Sequence, residues 1–294
     1  RPIPRAYSAS GADLRELGWT GQSNLVGFAR EEYNPKLRGI AGLKIYDEMR
    51  RSDSQVRATL RLIKTPILAG TWYMEPATEE PLDVEVAEFV WDNLTKWMSI
   101  SWAQVLYESL LMIDFGYYMF EKVWTIKDDK IIWKKLAPRH PMDVQEWIMD
   151  DHGGPRGLVM YAPDDLFYEE GVFIPIDKLL VFSFDKEAGN LEGMSLLRSA
   201  YKPWYFKNNL YKIDAIQKER HGIGIPIIKL PANFTDNDKT LANEIGKNLR
   251  TNEKAHIVLP PNWVIEFADV KGNPVDAMDS IEHHDKQIAR NVLG

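Results

Sequence analysis

From Gly193 to Gly222 the chain keeps one long helical pattern, broken once by Pro203, with five basic side chains between Lys202 and Arg220 in an otherwise acidic protein. A second helical pattern runs from Asp276 to Leu293, and a compact insert opened by Gly222-Ile223-Gly224-Ile225-Pro226 separates the two. Two helices flanking an insert read as a hairpin that projects from a body. The stretch Pro203 to His221 would make a helix about 28 Å long at 1.5 Å per residue. Phe206, Leu210, Ile213 and Ile216 line one of its faces. Lys207, Tyr211, Asp214 and Lys218 line another, with Asp214 four residues before Lys218 for mutual support. That polar face also fits plain solvation. A projecting apolar stripe must be covered, nothing else in the chain is large enough to cover it, and neighbouring subunits are the expected cover.

The rest of the chain divides around this hairpin. Residues 1–45 are rich in Gly, Pro, Ser and Arg and read as an N-terminal arm. Residues 46–193 read as a body. Ile45, Met49, Val56, Leu60 and Ile63 recur at helical spacing and predict one amphipathic helix, ended by Pro66 and Gly70. Thr71 to Glu75 reads as a strand. Pro81 opens a second helix with Val84, Ala87, Trp91 and Leu94 on one side, and Ser101 caps a third that ends at Gly116. The period then changes to two over Tyr117–Ile126, Ile131–Lys135, Met142–Met149, Leu158–Ala162 and Leu179–Phe184, with turn chemistry at Asp128-Asp129 and around Gly153-Gly154-Pro155. Segregated helices and antiparallel hairpins predict an α+β class, a mixed helical and antiparallel-strand body. Within the insert, residues 222–274, we expect a strand from Ile225 to Leu230 carrying Ile225 and Ile227, and a short helix with Leu241, Ile245 and Leu249. A hairpin should follow, pairing Ile257 and Leu259 with Trp263 and its neighbours across Pro260-Pro261-Asn262. The stem helices occupy 194–221 and 275–294.

Charge and composition narrow the function. A net charge of −7 argues against a surface built to grip phosphates, although a mildly acidic wall can surround DNA without holding it. The chain has no cysteine, which excludes disulfides and thiolate metal sites and fits a reducing compartment. No apolar stretch approaches membrane-spanning length, so no membrane partner is expected. The first residue is Arg1 and the last, Gly294, follows straight after a helix, so we expect both ends of a longer natural chain to lie outside this sequence.

Enzymatic motifs fail one by one. Gly222-x-Gly224-x-Pro226 lacks the third glycine of a dinucleotide fingerprint, and Gly246-Lys247-Asn248 lacks both the upstream glycine and the hydroxyl residue of a phosphate loop. His283-His284-Asp285 lacks metal-ligand spacing, because adjacent helical residues diverge. Asp236-Asn237-Asp238 lacks the glycine and glutamate of a calcium loop and reads as a helix cap. Asn93-Leu94-Thr95 and Asn233-Phe234-Thr235 match glycosylation sequons by chance. A sugar-processing enzyme is the rival reading, with Trp72, Trp124 or Trp133 as stacking platforms and Asp114 with Glu121 as acid and nucleophile. Those tryptophans fall where aromatics normally pack, so no catalytic residue, metal or cofactor is expected.

Several segments resemble the portal proteins of tailed phages, specifically the Mu-like branch. They are Tyr46-Asp47-Glu48-Met49-Arg50 with the helix to Trp72, Asp114-Phe115-Gly116-Tyr117 with Glu121-Lys122-Val123-Trp124, Leu136-Ala137-Pro138-Arg139-His140-Pro141, and Gly193 to Pro226 with Glu219-Arg220-His221-Gly222. The resemblance implies a ring of twelve subunits at one capsid vertex, through which double-stranded DNA enters during packaging and leaves during ejection. It also implies a virion location with assembly in the host cytoplasm, and as partners a packaging motor (terminase), neck or adaptor proteins and capsid proteins. The body would then be the wing, the helical hairpin the stem, and the insert the clip, with a crown beyond Gly294. Lys207, Lys212 and Lys218, with Lys286 and Arg290 on the returning helix, would face DNA or pair with Asp279, Glu282 and Asp285 across a subunit boundary. Local charge balance favours pairing. A neck or adaptor ring of the same particle is the alternative within this class.

Overall fold

In a computed structural model the described residues are 32–150, 153–161, 171–187, 190–223, 225–250, 258–268 and 276–294. The chain divides into two units, Arg1–Tyr201 with Ile288–Gly294, and Lys202–Gln287.

The first unit starts with helices. A 3-10 turn, Pro35–Leu37, leads into α1 (Gly39–Ser52), so part of the segment read as an arm is helical. The single helix expected next is two. Asp53 breaks it and caps α2 (Ser54–Leu68), its carboxylate accepting from the backbone N–H groups of Gln55 at 2.9 Å and Val56 at 3.0 Å. Met49 and Val56, either side of the break, are fully buried, so the bend keeps both apolar faces on the core. Pro66 lies inside α2 rather than ending it. Residues 71–76 have no strand partner among the described residues, which corrects the strand expected there. Helix α3 (Pro81–Asp92) begins where proline predicts and runs into a π turn, Asn93–Trp97. The Asn93 side chain of the first sequon is buried and accepts from the Trp133 N–H at 3.1 Å. Helix α4 (Trp102–Ser109) is capped by the Ser101 hydroxyl, which accepts from the Gln104 N–H, and α5 (Leu111–Phe115) stops at Gly116 with φ +93°.

Six strands follow: β1 (Tyr117–Lys127), β2 (Lys130–Arg139), β3 (Val144–Met149), β4 (Pro155–Met160), β5 (Val172–Pro175) and β6 (Leu179–Ser183). They form two antiparallel sheets, ordered β2-β1-β6 and β3-β4-β5. Asp128 and Asp129 both adopt positive φ, the conformation a tight two-residue hairpin demands, and set Lys127 opposite Lys130. The first four residues of β1 are buried on both sides. Tyr117 and Met119 pack on Leu158, Ile174 and Leu179 of the strands, while Tyr118 and Phe120 pack on Val105 of α4 and Leu136. Period-two alternation puts them on opposite faces, and both faces are covered.

After β6 the chain closes back on this core. The Phe184 N–H donates to the Gly116 carbonyl at 2.7 Å, and Leu196 N–H donates to Ile113 O at 3.0 Å. The Ser195 hydroxyl donates to Asp114 O and accepts from the Leu197 N–H, so it anchors and caps the helix that starts there. That helix, α6 (Leu197–Ile223), passes through Pro203 unbroken, which corrects the expected break. Pro203 forfeits one backbone hydrogen bond, but Leu197, Ala200, Tyr201 and Trp204 are buried around it and offset that loss.

The second unit holds most of α6, then β7 (Ile225–Lys229), α7 (Asp236–Arg250), β8 (Val264–Ala268) and α8 (Met278–Leu293) up to Gln287. The Asp236–Asp238 run is the expected cap. The Thr235 hydroxyl accepts from the Asp238 N–H, and the Asp238 carboxylate accepts from the Thr235 N–H at 2.7 Å. The turn at Pro260–Asn262 is present, with Asn262 at φ +67° and the Trp263 N–H donating to Pro260 O. Among the described residues its hairpin is not seen: Val258 and Leu259 carry no strand, and β8 pairs antiparallel with β7, with Ile227 opposite Glu266. Ile257 lies outside the described residues.

Candidate channel and subunit-contact site on the stem helices

The two helices expected to form a stem lie side by side. The Ser199 hydroxyl donates to Asn291 O at 3.3 Å, Phe206 stacks on His284, and Lys207 pairs with Asp285. As residue numbers rise along α6 they fall along α8, so the helices run antiparallel. Ile281, Ile288 and Val292 of α8 are buried. These three were missed as a packing face, although their spacing of seven and four residues is the signal for one.

The four apolar residues singled out on α6 separate. Phe206 is half-exposed, with its ring stacked on the imidazole of His284 at a centroid distance of 6.0 Å. Leu210 is half-buried. Ile213 and Ile216 are 50% and 46% exposed, so within one chain this end of the stripe is only half covered. An isoleucine left in water forgoes about 1.5–3 kcal/mol of burial.

Lys207 departs from expectation. It is buried, its ammonium donates to the Asp285 carboxylate of the same chain and lies 5.9 Å from the centre of the Tyr211 ring, so it cannot face a channel. Pairing with Asp285 occurs, but inside the chain rather than across a boundary. One helical turn of mutual support also holds Lys218 to Asp214 at 2.8 Å, which raises the lysine pKa, and Lys286 to Glu282 at 3.8 Å. Lys212, Lys218, Lys286 and Arg290 are all exposed. They are sparse cations on a helix pair that also carries carboxylates, not a phosphate-gripping patch.

In the insert, Trp263 is buried, Leu259 is half-buried and Ile227 is 43% exposed. Ile225 takes its place in β7 opposite Ala268.

The residues of the rival enzyme reading are already engaged in structure. Asp114 is buried with the Lys64 ammonium 2.5 Å away; burial pushes the carboxyl pKa up and the lysine pKa down, against their mutual attraction. Glu121 pairs with Arg139 across the β1–β2 ladder. Trp124 packs on Trp133 at 5.6 Å, and Trp72 meets Trp102 edge-on at 5.9 Å. Among the described residues no cluster of three or more His, Cys, Asp or Glu is arranged to hold a metal, and no helix is long and apolar enough to cross a membrane.

Three solved structures share the fold at low sequence identity. The virion of a native gene transfer agent particle matches with a TM-score of 0.54 and 12% identity over 90% of this chain and 69% of that one. The neck of a native gene transfer agent particle computed with C12 symmetry gives 0.52 and 10% over 83% and 66%. The neck of an empty particle computed with C6 symmetry gives 0.56 and 11% over 89% and 70%. The family described as the portal protein of Mu bacteriophage matches residues 43–294, which takes in most of the helix-and-sheet body, α6, α8 and the insert between them. This chain therefore belongs to the Mu bacteriophage portal protein family.

Proposed function

We propose that the chain is one subunit of a closed ring that forms the DNA channel at a single capsid vertex. Double-stranded DNA passes through it during packaging and ejection without sequence-specific contacts. Twelve copies is the expected number, in keeping with the C12 symmetry applied to one of the matched necks. The body serves as the wing, α6 and α8 as the stem, and residues 222–274 as a clip that docks the packaging motor and later the neck. Assembly takes place in the host cytoplasm, and the finished ring sits in the virion.

The observation that carries this reading is the half-covered apolar end of α6 in a member of the portal family. Ile213 and Ile216 stay about half-exposed in the single chain. Head-to-tail contacts that close into a ring would bury them against the next copy's stem. Replacing Ile213 with Asp should therefore abolish rings while the monomer keeps its wild-type circular dichroism. Negative-stain images and mass measurement read the outcome; intact rings from the variant refute the stem contact. A neck or adaptor ring would have the same symmetry, and two matched particles are necks. The two readings part in shells that have not yet acquired a tail, where a portal is present and an adaptor is absent.

A further inference from the structure

A cavity of about 990 Å³ lies within the first unit, and the ring reading does not use it. Its size falls at the upper end of small-molecule sites, about 300–1,000 Å³. Tyr46 of α1, Phe115, Tyr117 of β1 and Trp147 of β3 build its aromatic wall, the last two with ring centres 6.2 Å apart. Its charges are unequal. Arg198 and Arg38 line it, but both are engaged with Glu32: Arg198 donates to both carboxylate oxygens, and the Arg38 Nε donates to the carbonyl at 2.6 Å. Glu146, Asp185, Glu187 and Glu192 also line it, and none of these four has a cationic partner among the described residues.

Glu192 is the most firmly placed of the four. Its backbone N–H donates to the Asn190 side chain at 3.0 Å, the Leu191 carbonyl before it accepts from the Ser183 hydroxyl at 2.5 Å, and the Met194 N–H after it donates to Phe184 O at 2.8 Å. The carboxylate is open to the cavity, yet the walls crowd it enough that burial raises its pKa. The indole of Trp147 acts the other way, although its buried Nε1 completes no hydrogen bond. A crowded carboxylate is costly until a counter-charge reaches it. One metal ion does not suit the wall, because among the described residues no three acidic or imidazole groups are arranged to hold one. Carboxylates spread around aromatic rings call instead for separated positive charges on an apolar stem, which the rings can face.

We propose that this cavity binds a linear organic cation with two or more ammonium groups, one paired with Glu192 and another with the remaining carboxylates, its alkyl stem lying on the aromatic wall. Ser195 and Arg198, at the start of α6, share the lining with Glu146 of β3. An occupied cavity therefore ties the run that leads into α6 to the second sheet. The site goes beyond the ring reading and does not depend on it, since every lining residue belongs to one unit of one chain.

Isothermal titration calorimetry of the full chain with spermidine at about 0.1 M salt tests the site. One saturable site per chain is expected, with a Kd below about 1 mM. Absence of saturation overturns the proposal whether or not rings form. Glu192→Gln, and independently E146Q/E187Q, keeps side-chain size, removes charge and should weaken binding at least about tenfold. Glu48→Gln, an exposed position outside the cavity, should leave binding unchanged. If the cavity variants bind like wild type, or if Glu48→Gln weakens binding as much as they do, the attraction is diffuse and the proposal fails. Displacement of spermidine by magnesium chloride at matched ionic strength would assign the carboxylates to an inorganic ion and also overturn it. N-acetyl-lysine amide, which carries the single ammonium of a protein side chain, should bind at least about tenfold more weakly than spermidine. Tighter binding by that probe would overturn the proposal and give the cavity to a basic protein segment.

Discussion

Lys207 on α6 donates to the carboxylate of Asp285 on α8, with the lysine side chain 3% exposed and the aspartate 31%. The pair is lopsided, and so is the consequence of breaking it. Removing the carboxylate in Asp285→Ala takes from a buried ammonium the carboxylate it donates to and should cost about 3 kcal/mol. Lys207→Met leaves behind a carboxylate that water can reach, and should cost less than about 1.5 kcal/mol. Urea denaturation of the two variants measures the difference; equal losses would show that the lysine is not confined as described.

Gly193 closes the return from β6 to α6 at φ +59°, and an added Cβ would sit 2.2 Å from Phe184 O and 2.5 Å from Gly116 O. Gly39 has a similar φ of +50° with nothing within 4 Å. Gly39→Ala therefore meets only backbone strain, about 1–2 kcal/mol. Gly193→Ala adds a collision with main chain that cannot rotate away, and should cost at least about 3 kcal/mol. Thermal unfolding of both variants separates the two terms.

His140 caps the 3-10 turn Pro141–Asp143, its Nδ1 accepting from the Met142 N–H at 3.2 Å, with Phe115 edge-on to the ring at 4.9 Å. Burial lowers its pKa, only partly offset by Asp143. An unfolded histidine takes up a proton near pH 6.5, whereas the folded one resists until lower pH. The stability from this group is thus complete above about pH 6.5 and is lost as pH falls through the lower folded value. His140→Asn keeps a cap acceptor and removes the titration. Its melting temperature should fall less than wild type's between pH 7 and pH 5, as scanning calorimetry would record.

A channel of this composition should hold duplex DNA loosely. With a net charge of −7 and Lys207 withdrawn into an ion pair, few cations remain on the stem to displace counterions. Purified rings should bind duplex more weakly than about 1 μM at physiological salt. Fluorescence anisotropy measures this, and nanomolar binding that survives added salt would contradict it.

Much of the local architecture is legible because its causes are local. Asp128-Asp129 makes its tight turn, Ser101 caps α4, and Thr235 with Asp238 caps α7, each through bonds spanning four residues or fewer. Period-two alternation located β1 through its own side chains. The reading failed where a competing interaction came from far along the chain. Thr71–Glu75 has the composition of a strand and, among the described residues, no partner to make it one. The four-residue β5 was missed because its pairing with β4 comes from across the sheet rather than from its own short pattern. On the two long helices, the pattern identified α6 and α8 and the stripe from Phe206 to Ile216, but not that Phe206 stacks on His284 while Ile213 stays half-exposed.

By itself the sequence determined where most of the helices and strands lie, where many of them are capped or turned, and that two long helices bracket a small insert, because periodicity and capping act within a few residues. Only the tertiary structure decided which strand β8 joins, that Asp53 splits one helical pattern into two packed helices, and that Lys207 is buried in a pair with Asp285. Those outcomes are choices among distant partners. They turn on which apolar faces and charges can be satisfied together in space, and spacing along the chain carries no record of that.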